Sequence, residues 1–248
     1  MNVRSRRPGA WMGILASVLL AATVAGCTSS DDPSMTILTP NAMYGQVEDG
    51  GFTIPAVPPG TIDPQFYRQV VTTPRYITAS AGTIVVDPSR KFLYLVQDGG
   101  RSMRYGIGVG REGFAWAGDA VIKSKQEWPK WFPPAEMMAR DPEAAKYPNG
   151  MEGGLRNPLG ARALYLYQGN VDTLYRLHGT NDPRSIGKAV SSGCVRLLNQ
   201  DIIDLYNRVP LGTKVVVLGP DTTSPMADIF VPRQPPVAVG GGIETPAG

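Results

Sequence analysis

His178 is the only histidine in the 248-residue chain, and Cys194 follows it by sixteen residues. A cysteine becomes a strong nucleophile once a neighbouring imidazole takes its proton, so this pair is suited to acyl transfer through a thioester. Cys194 lies in Ser191-Ser192-Gly193-Cys194-Val195-Arg196-Leu197. Gly193 permits a tight turn and a close approach to backbone N–H groups, which stabilise an oxyanion by about 3 kcal/mol per donor. The competing reading is a buried structural thiol, since unpaired cysteine packs as a small hydrophobe. The polar and glycine flanks argue against it. His178 ends a strand-like run, a rigid mount for a general base. The competing reading there is a satisfied core histidine, which the following loop, Asn181-Asp182-Pro183, makes less natural. Arg196 could hold a carboxylate bidentately or support the loop through an ion pair, and both readings stand.

Other chemistries fit poorly. A papain-like peptidase places its cysteine before its histidine, the reverse of the order here. A zinc site needs at least three N, S or O ligands, and one His with one available Cys do not supply them. The run Gly106-Ile107-Gly108-Val109-Gly110 precedes no helical pattern and sits in no βαβ unit, so it does not read as a nucleotide loop. Of 24 Lys+Arg, three precede Cys27 with no acids, which leaves 21 of each sign in the remainder. A near-neutral chain lacks the basic surface that nucleic-acid binding requires.

The stretch His178-Gly179-Thr180 followed by Ser192-Gly193-Cys194-Val195-Arg196 resembles the L,D-transpeptidase family, the YkuD-type catalytic domain that acts on bacterial peptidoglycan. The resemblance extends over roughly residues 80–219 and includes Asn157-Pro158-Leu159-Gly160-Ala161-Arg162-Ala163-Leu164, a glycine turn leading into a strand that lines the cleft in the family. It implies a mainly β, β-sandwich-like domain with few short helices. It implies Cys194 as nucleophile, His178 as general acid and base, and the Gly179 carbonyl as the group that orients the imidazole. The backbone at Gly193 would stabilise the oxyanion, and no metal or cofactor is needed. Asp182 is only a weak candidate for a third catalytic group. Many relatives carry His where this chain has Ser192; Ser also occurs there, so the change does not imply inactivation. Ser192, Arg196, Trp128 and Trp131 are candidate substrate contacts. The two tryptophans belong to Trp128-Pro129-Lys130-Trp131-Phe132-Pro133-Pro134, which reads either as a groove wall or as a satellite core. The implied partners are tetrapeptide stems, with an envelope protein as an alternative acyl acceptor. A catalytically silent wall-binding lipoprotein is a rival of another class.

The elements that must position these residues lie between about residues 82 and 219. Thr83–Asp87, Phe92–Val96, Met103–Val109, Arg162–Tyr167, Thr173–His178 and Lys214–Leu218 have strand patterns. Asn199 is expected to cap a helix over Gln200–Val209 with one apolar face, and Pro134–Arg140 is a short helix candidate. Residues 1–26 have a basic start and a short apolar run, as an export signal does. Val24-Ala25-Gly26-Cys27 resembles a bacterial lipobox, with Cys27 the acylated residue of a membrane-anchored envelope lipoprotein; ordinary cleavage near Ala25 is the alternative. Residues 27–81 read as a Pro-rich tether holding at most a short helix over Asp63–Val70, and 220–248 as a Pro/Gly-rich disordered tail.

Overall fold

A computed structural model of the chain describes residues 40–110, 116–191 and 194–219. The export-type segment, Cys27, the start of the expected tether, Ser192, Gly193 and the 220–248 tail lie outside the described residues.

The fold is mainly β. Strands β1 (Val47–Asp49) and β2 (Phe52–Ile54) form a hairpin, and β7 (Val109–Gly110) pairs with β11 (Ala189–Ser191). The remaining strands are β3 (Gln69–Thr72), β4 (Ile84–Asp87), β5 (Phe92–Gln97), β6 (Arg101–Gly106), β8 (Gly118–Glu127), β9 (Arg162–Gln168), β10 (Val171–His178), β12 (Val195–Arg196) and β13 (Lys214–Val217). They form one nine-stranded sheet in the order β12-β10-β9-β8-β13-β4-β5-β6-β3. Within it β10–β12 and β4–β13 are parallel. The α-helices are α1 (Pro40–Met43), α2 (Ala135–Arg140) and α3 (Asn199–Arg208). Among the described residues no helix is long and apolar enough to cross a membrane.

The sheet curls on itself. Gly108, just past β6, exchanges backbone hydrogen bonds of 2.9 Å in both directions with Arg196 of β12, which joins distant parts of the strand order. Alternate residues of both halves then share one core. Ile84, Val86, Leu93 and Leu95 come from one side, and Leu164, Leu166, Leu177 and Val195 from the other. The apolar face of α3, through Ile202 and Leu205, closes this sandwich-like core. Burying each such side chain contributes about 1.5–3 kcal/mol. Lys125 of β8 donates to the carbonyls of Tyr206 (2.6 Å) and Val209 (2.7 Å), a cation placed where the helix ends.

The tether reading needs correction from Pro40 onward, because this segment belongs to the folded unit. Phe66, Val71, Tyr76, Ile77 and Ala79 cover the outer side of β4 and β5 against Val85, Phe92, Tyr94 and Val96. Tyr44 and Ile62 pack on Ile186 and Leu198. Asp49 of the hairpin receives two 2.7 Å bonds from Arg162, and its Oδ2 also accepts from the Trp128 indole at 2.8 Å. A run such as Ile84-Val85-Val86 with no polar alternation signals a strand covered on both faces, and residues 66–79 supply the cover. The helix expected over Asp63–Val70 reduces to a single 3-10 turn at Pro64–Phe66, which Asp63 caps by accepting from the Gln65 N–H at 3.0 Å; the chain then enters β3.

Two further expectations change. Asn199 is the first helical residue of α3 and not its cap; Leu198 holds the cap position and makes no side-chain cap bond. The Asn199 side chain instead accepts from the Ala161 N–H at 2.9 Å. Strand β8, the longest, has no counterpart in the strand patterns of the sequence. Lys123, Lys125, Gln126 and Glu127 break its alternation, since only Ala120 and Ile122 are buried.

Candidate active site

Strand β10 ends at His178, and Cys194 stands immediately before β12. The parallel register of the two strands sets Leu177 opposite Val195 and His178 opposite Arg196. Leu177 and Val195 are fully buried in the core, so by alternation Arg176, His178, Cys194 and Arg196 belong to the other face. The Leu197 N–H donates to the His178 carbonyl at 2.8 Å, which locks the two chains side by side just past the cysteine. Gly108 makes room for this edge. A Cβ there would stand 2.5 Å from the Ser185 carbonyl oxygen.

His178 is almost wholly buried. Its Nδ1 lies 2.6 Å from the Gly179 carbonyl oxygen. A carbonyl only accepts, so Nδ1 carries the proton and Nε2 is left as the basic nitrogen. Burial, with the charges of Arg196 and Arg176, lowers the imidazole pKa to about 4 against the pull of that carbonyl. The ring is therefore neutral at ordinary pH. The Asp182 carboxylate pairs with Arg184 at 3.0 Å.

Cys194 is partly exposed, with its Sγ 4.0 Å from the Leu174 carbonyl oxygen. Burial of the sulfur raises its pKa, opposed by the Arg176 backbone N–H and by the Arg176 and Arg196 guanidiniums. At rest the sulfur is thus a thiol and the imidazole neutral. Arg196 is half-buried, and burial lowers its pKa while Asp182 and Cys194 oppose the shift. Its Nε is buried and has no hydrogen-bond partner among the described residues.

The model of the YkuD L,D-transpeptidase catalytic domain matches residues 81–217, more than half of the chain. The chain belongs to the L,D-transpeptidase family. It is similar to the probable L,D-transpeptidase YbiS of Escherichia coli, at 34% identity over 56% of this chain and 44% of that protein. It is also similar to the probable L,D-transpeptidase YcfS of the same species, at 36% identity over 54% and 43% respectively. The chain thus spans less than half the length of these curated relatives. Among solved structures, one described as a probable carnitine operon oxidoreductase from Brucella melitensis is 52% identical, covering 64% of this chain and 97% of that one, at a TM-score of 0.43.

Within this family member, the residues that sequence reasoning missed lie on β10. The β9–β10 register shifts between Asp172 and Arg176. Leu174, inside this irregularity, has φ +63° and is 76% exposed. Asp172 holds the bulge: it accepts from the Leu174 N–H at 2.8 Å and from Arg176 through bonds of 2.7 and 2.8 Å. The bulge thereby presents the Leu174 carbonyl and the Arg176 N–H to Cys194. An Asp-x-Leu-x-Arg string inside a strand was the available signal, with Asp able to cap its own turn. Trp128 and Trp131 lie in the loop after β8. Trp128 packs on Phe52 with ring centres 4.3 Å apart and planes tilted by 41°, and Trp131 pairs with Met151 in an isolated bridge, so Trp128 joins a satellite cluster with the hairpin.

Proposed function

We propose that this chain forms peptidoglycan cross-links by cysteine acyl transfer. The observation that supports the reading is the β10–β12 register, which pairs His178 with Arg196, two residues past Cys194, together with the Gly179 carbonyl on Nδ1, which leaves Nε2 free to accept a proton. In the first step Sγ attacks the amide carbonyl between meso-diaminopimelate and the terminal D-alanine of a tetrapeptide stem. The C–S bond forms and His178 takes the thiol proton. The C–N bond then breaks, and the proton passes to the departing amine of D-alanine. In the second step an amine of another stem attacks the thioester. A new amide forms, the C–S bond breaks, and the thiol is restored through His178. The Gly193 backbone would hold the oxyanion, and Arg196, with its unpartnered Nε edge, a stem carboxylate. Residues 1–26 and Cys27 fit an exported lipoprotein of the cell envelope.

Mass spectrometry of the purified protein with a tetrapeptide muropeptide tests the reading. A thioester adduct on Cys194, release of D-alanine and a cross-linked dimer are expected. Cys194→Ala should abolish all three, and His178→Ala should slow acylation by ~10²–10⁴-fold. Cross-links formed by the Cys194→Ala protein would sink the covalent mechanism. Transfer of the acyl group to an envelope-protein lysine in place of a stem would assign a protein-anchoring role.

A further inference from the structure

We propose that Asn199 is a positioning residue for His178, acting through the Gly179 carbonyl. The inference rests on the reading of His178 as base. Asn199 opens α3 two residues after Leu197, whose N–H is bonded to the His178 carbonyl. Its Oδ1 accepts from the Ala161 N–H at 2.9 Å, at the mouth of the turn that enters β9. The same oxygen lies against two glycines from separate segments. A Cβ on Gly179 would stand 2.3 Å from it, and a Cβ on Gly160 2.2 Å. Only glycine hydrogens fit in these spaces.

Gly160 has φ +63°, and its open face rests on the Gly179–Thr180 peptide; a Cβ there would be 2.7 Å from both the Gly179 carbonyl carbon and the Thr180 nitrogen. The Gly179 N–H is held from the other direction by the Arg162 carbonyl at 3.0 Å. The peptide whose oxygen receives the His178 Nδ1–H thus lies against Gly160, while the peptide before it is held by Arg162 and the Asn199 amide oxygen fills the space beside the Gly179 Cα between them. Gly179 has no side chain to hold its own conformation, and a peptide free to rotate would turn its oxygen away from the ring. The Asn199 amide oxygen fixes the turn and fills the gap in one contact. It touches neither thiol nor substrate, so its effect on the reaction passes through the orientation and tautomer of the imidazole.

The single histidine makes this directly measurable, because ring-nitrogen NMR of the protein reports one imidazole. The wild type should show the Nδ1–H tautomer. Asn199→Ala should give a tautomer mixture, a shifted ring titration, and acylation slowed by ~10–100-fold, less than loss of the base itself. Asn199→Asp keeps an oxygen acceptor for the Ala161 N–H, so the tautomer should be retained, with a higher ring pKa from the added negative charge. Melting curves of both variants separate unfolding from mispositioning. Wild-type ring signals and acylation rate in a folded Asn199→Ala protein would overturn the positioning role. Full activity in His178→Gln would instead overturn the base reading beneath it.

Discussion

His178 and Arg196 stand directly opposite one another across the parallel β10–β12 pair, with their strands locked by the Leu197 N–H on the His178 carbonyl. A guanidinium fixed beside a buried imidazole disfavours the imidazolium. Burial is the larger cause of the neutral ring, and the β10–β12 register adds to it by setting Arg196 opposite.

The pH profile of acylation should follow. With the ring pKa lowered to about 4, the base stays competent well below the ordinary imidazole range, and the acid limb should fall near pH 4. Arg196→Gln removes one of the lowering charges, so the ring pKa and the acid limb should both move up. Arg196→Lys should keep them low. An NMR titration of the single ring checks the sign, and an unchanged titration in Arg196→Gln would refute the coupling.

The bulge on β10 should tune the thiol. Asp172→Ala frees Leu174 and Arg176, so the Arg176 N–H drifts from the sulfur and the Cys194 pKa, already raised, rises further. Alkylation at neutral pH should slow by several-fold. Leu174→Gly relieves a left-handed φ at a largely exposed side chain and should raise stability by ~1 kcal/mol, seen as a higher Tm.

Stability against pH should show two opposed slopes. His178 titrates near 4 in the fold against an ordinary 6.5, so the unfolded chain binds its proton first; this contribution is present above pH 6.5 and is lost as pH falls toward 4. Asp201, fully buried, is pushed up to about 7 by burial, so its contribution is present below 3.8 and is lost as pH rises toward 7. Between about pH 4 and 6.5 the two offset each other. Asp201→Asn removes one slope, so acidification over that window should cost the variant up to roughly 3 kcal/mol more than the wild type in denaturant melts. Parallel curves would contradict it.

The N-terminal hairpin should be part of the stable fold. Asp49→Ala strips the nearly buried Arg162 of its bidentate partner and the Trp128 indole of its acceptor. A loss of about 3 kcal/mol is expected from breaking such a pair. A loss within 0.5 kcal/mol, the usual range for surface changes, would return the segment to a tether. Asp49 lies outside the family-matched residues 81–217, so the effect would mark an extension of the domain.

The sequence by itself singled out His178 and Cys194 as the candidate pair and determined the mainly β class. A lone His and a glycine-flanked Cys are local chemical facts, and short unbroken apolar runs such as Phe92–Val96, bounded by turn residues, report on a strand buried on both faces. It did not reveal β8, because its lysines place their stems on the sheet and their charge elsewhere; Lys125 caps α3 from there. Nor did it reveal that Pro40–Ala81 packs as part of the domain, since Pro-rich composition measures local propensity, whereas Phe66 on Phe92 and Asp49 on Arg162 are contacts made at long sequence separation. Only the tertiary structure decided what surrounds the base. Gly179, Gly160 and Asn199 come from three segments, and the Asn that reads locally as a helix cap is drawn to the Ala161 N–H because the curled sheet brings that donor within 2.9 Å. Side-chain hydrogen bonds go to the nearest unsatisfied partner, and which partner is nearest is a property of the fold.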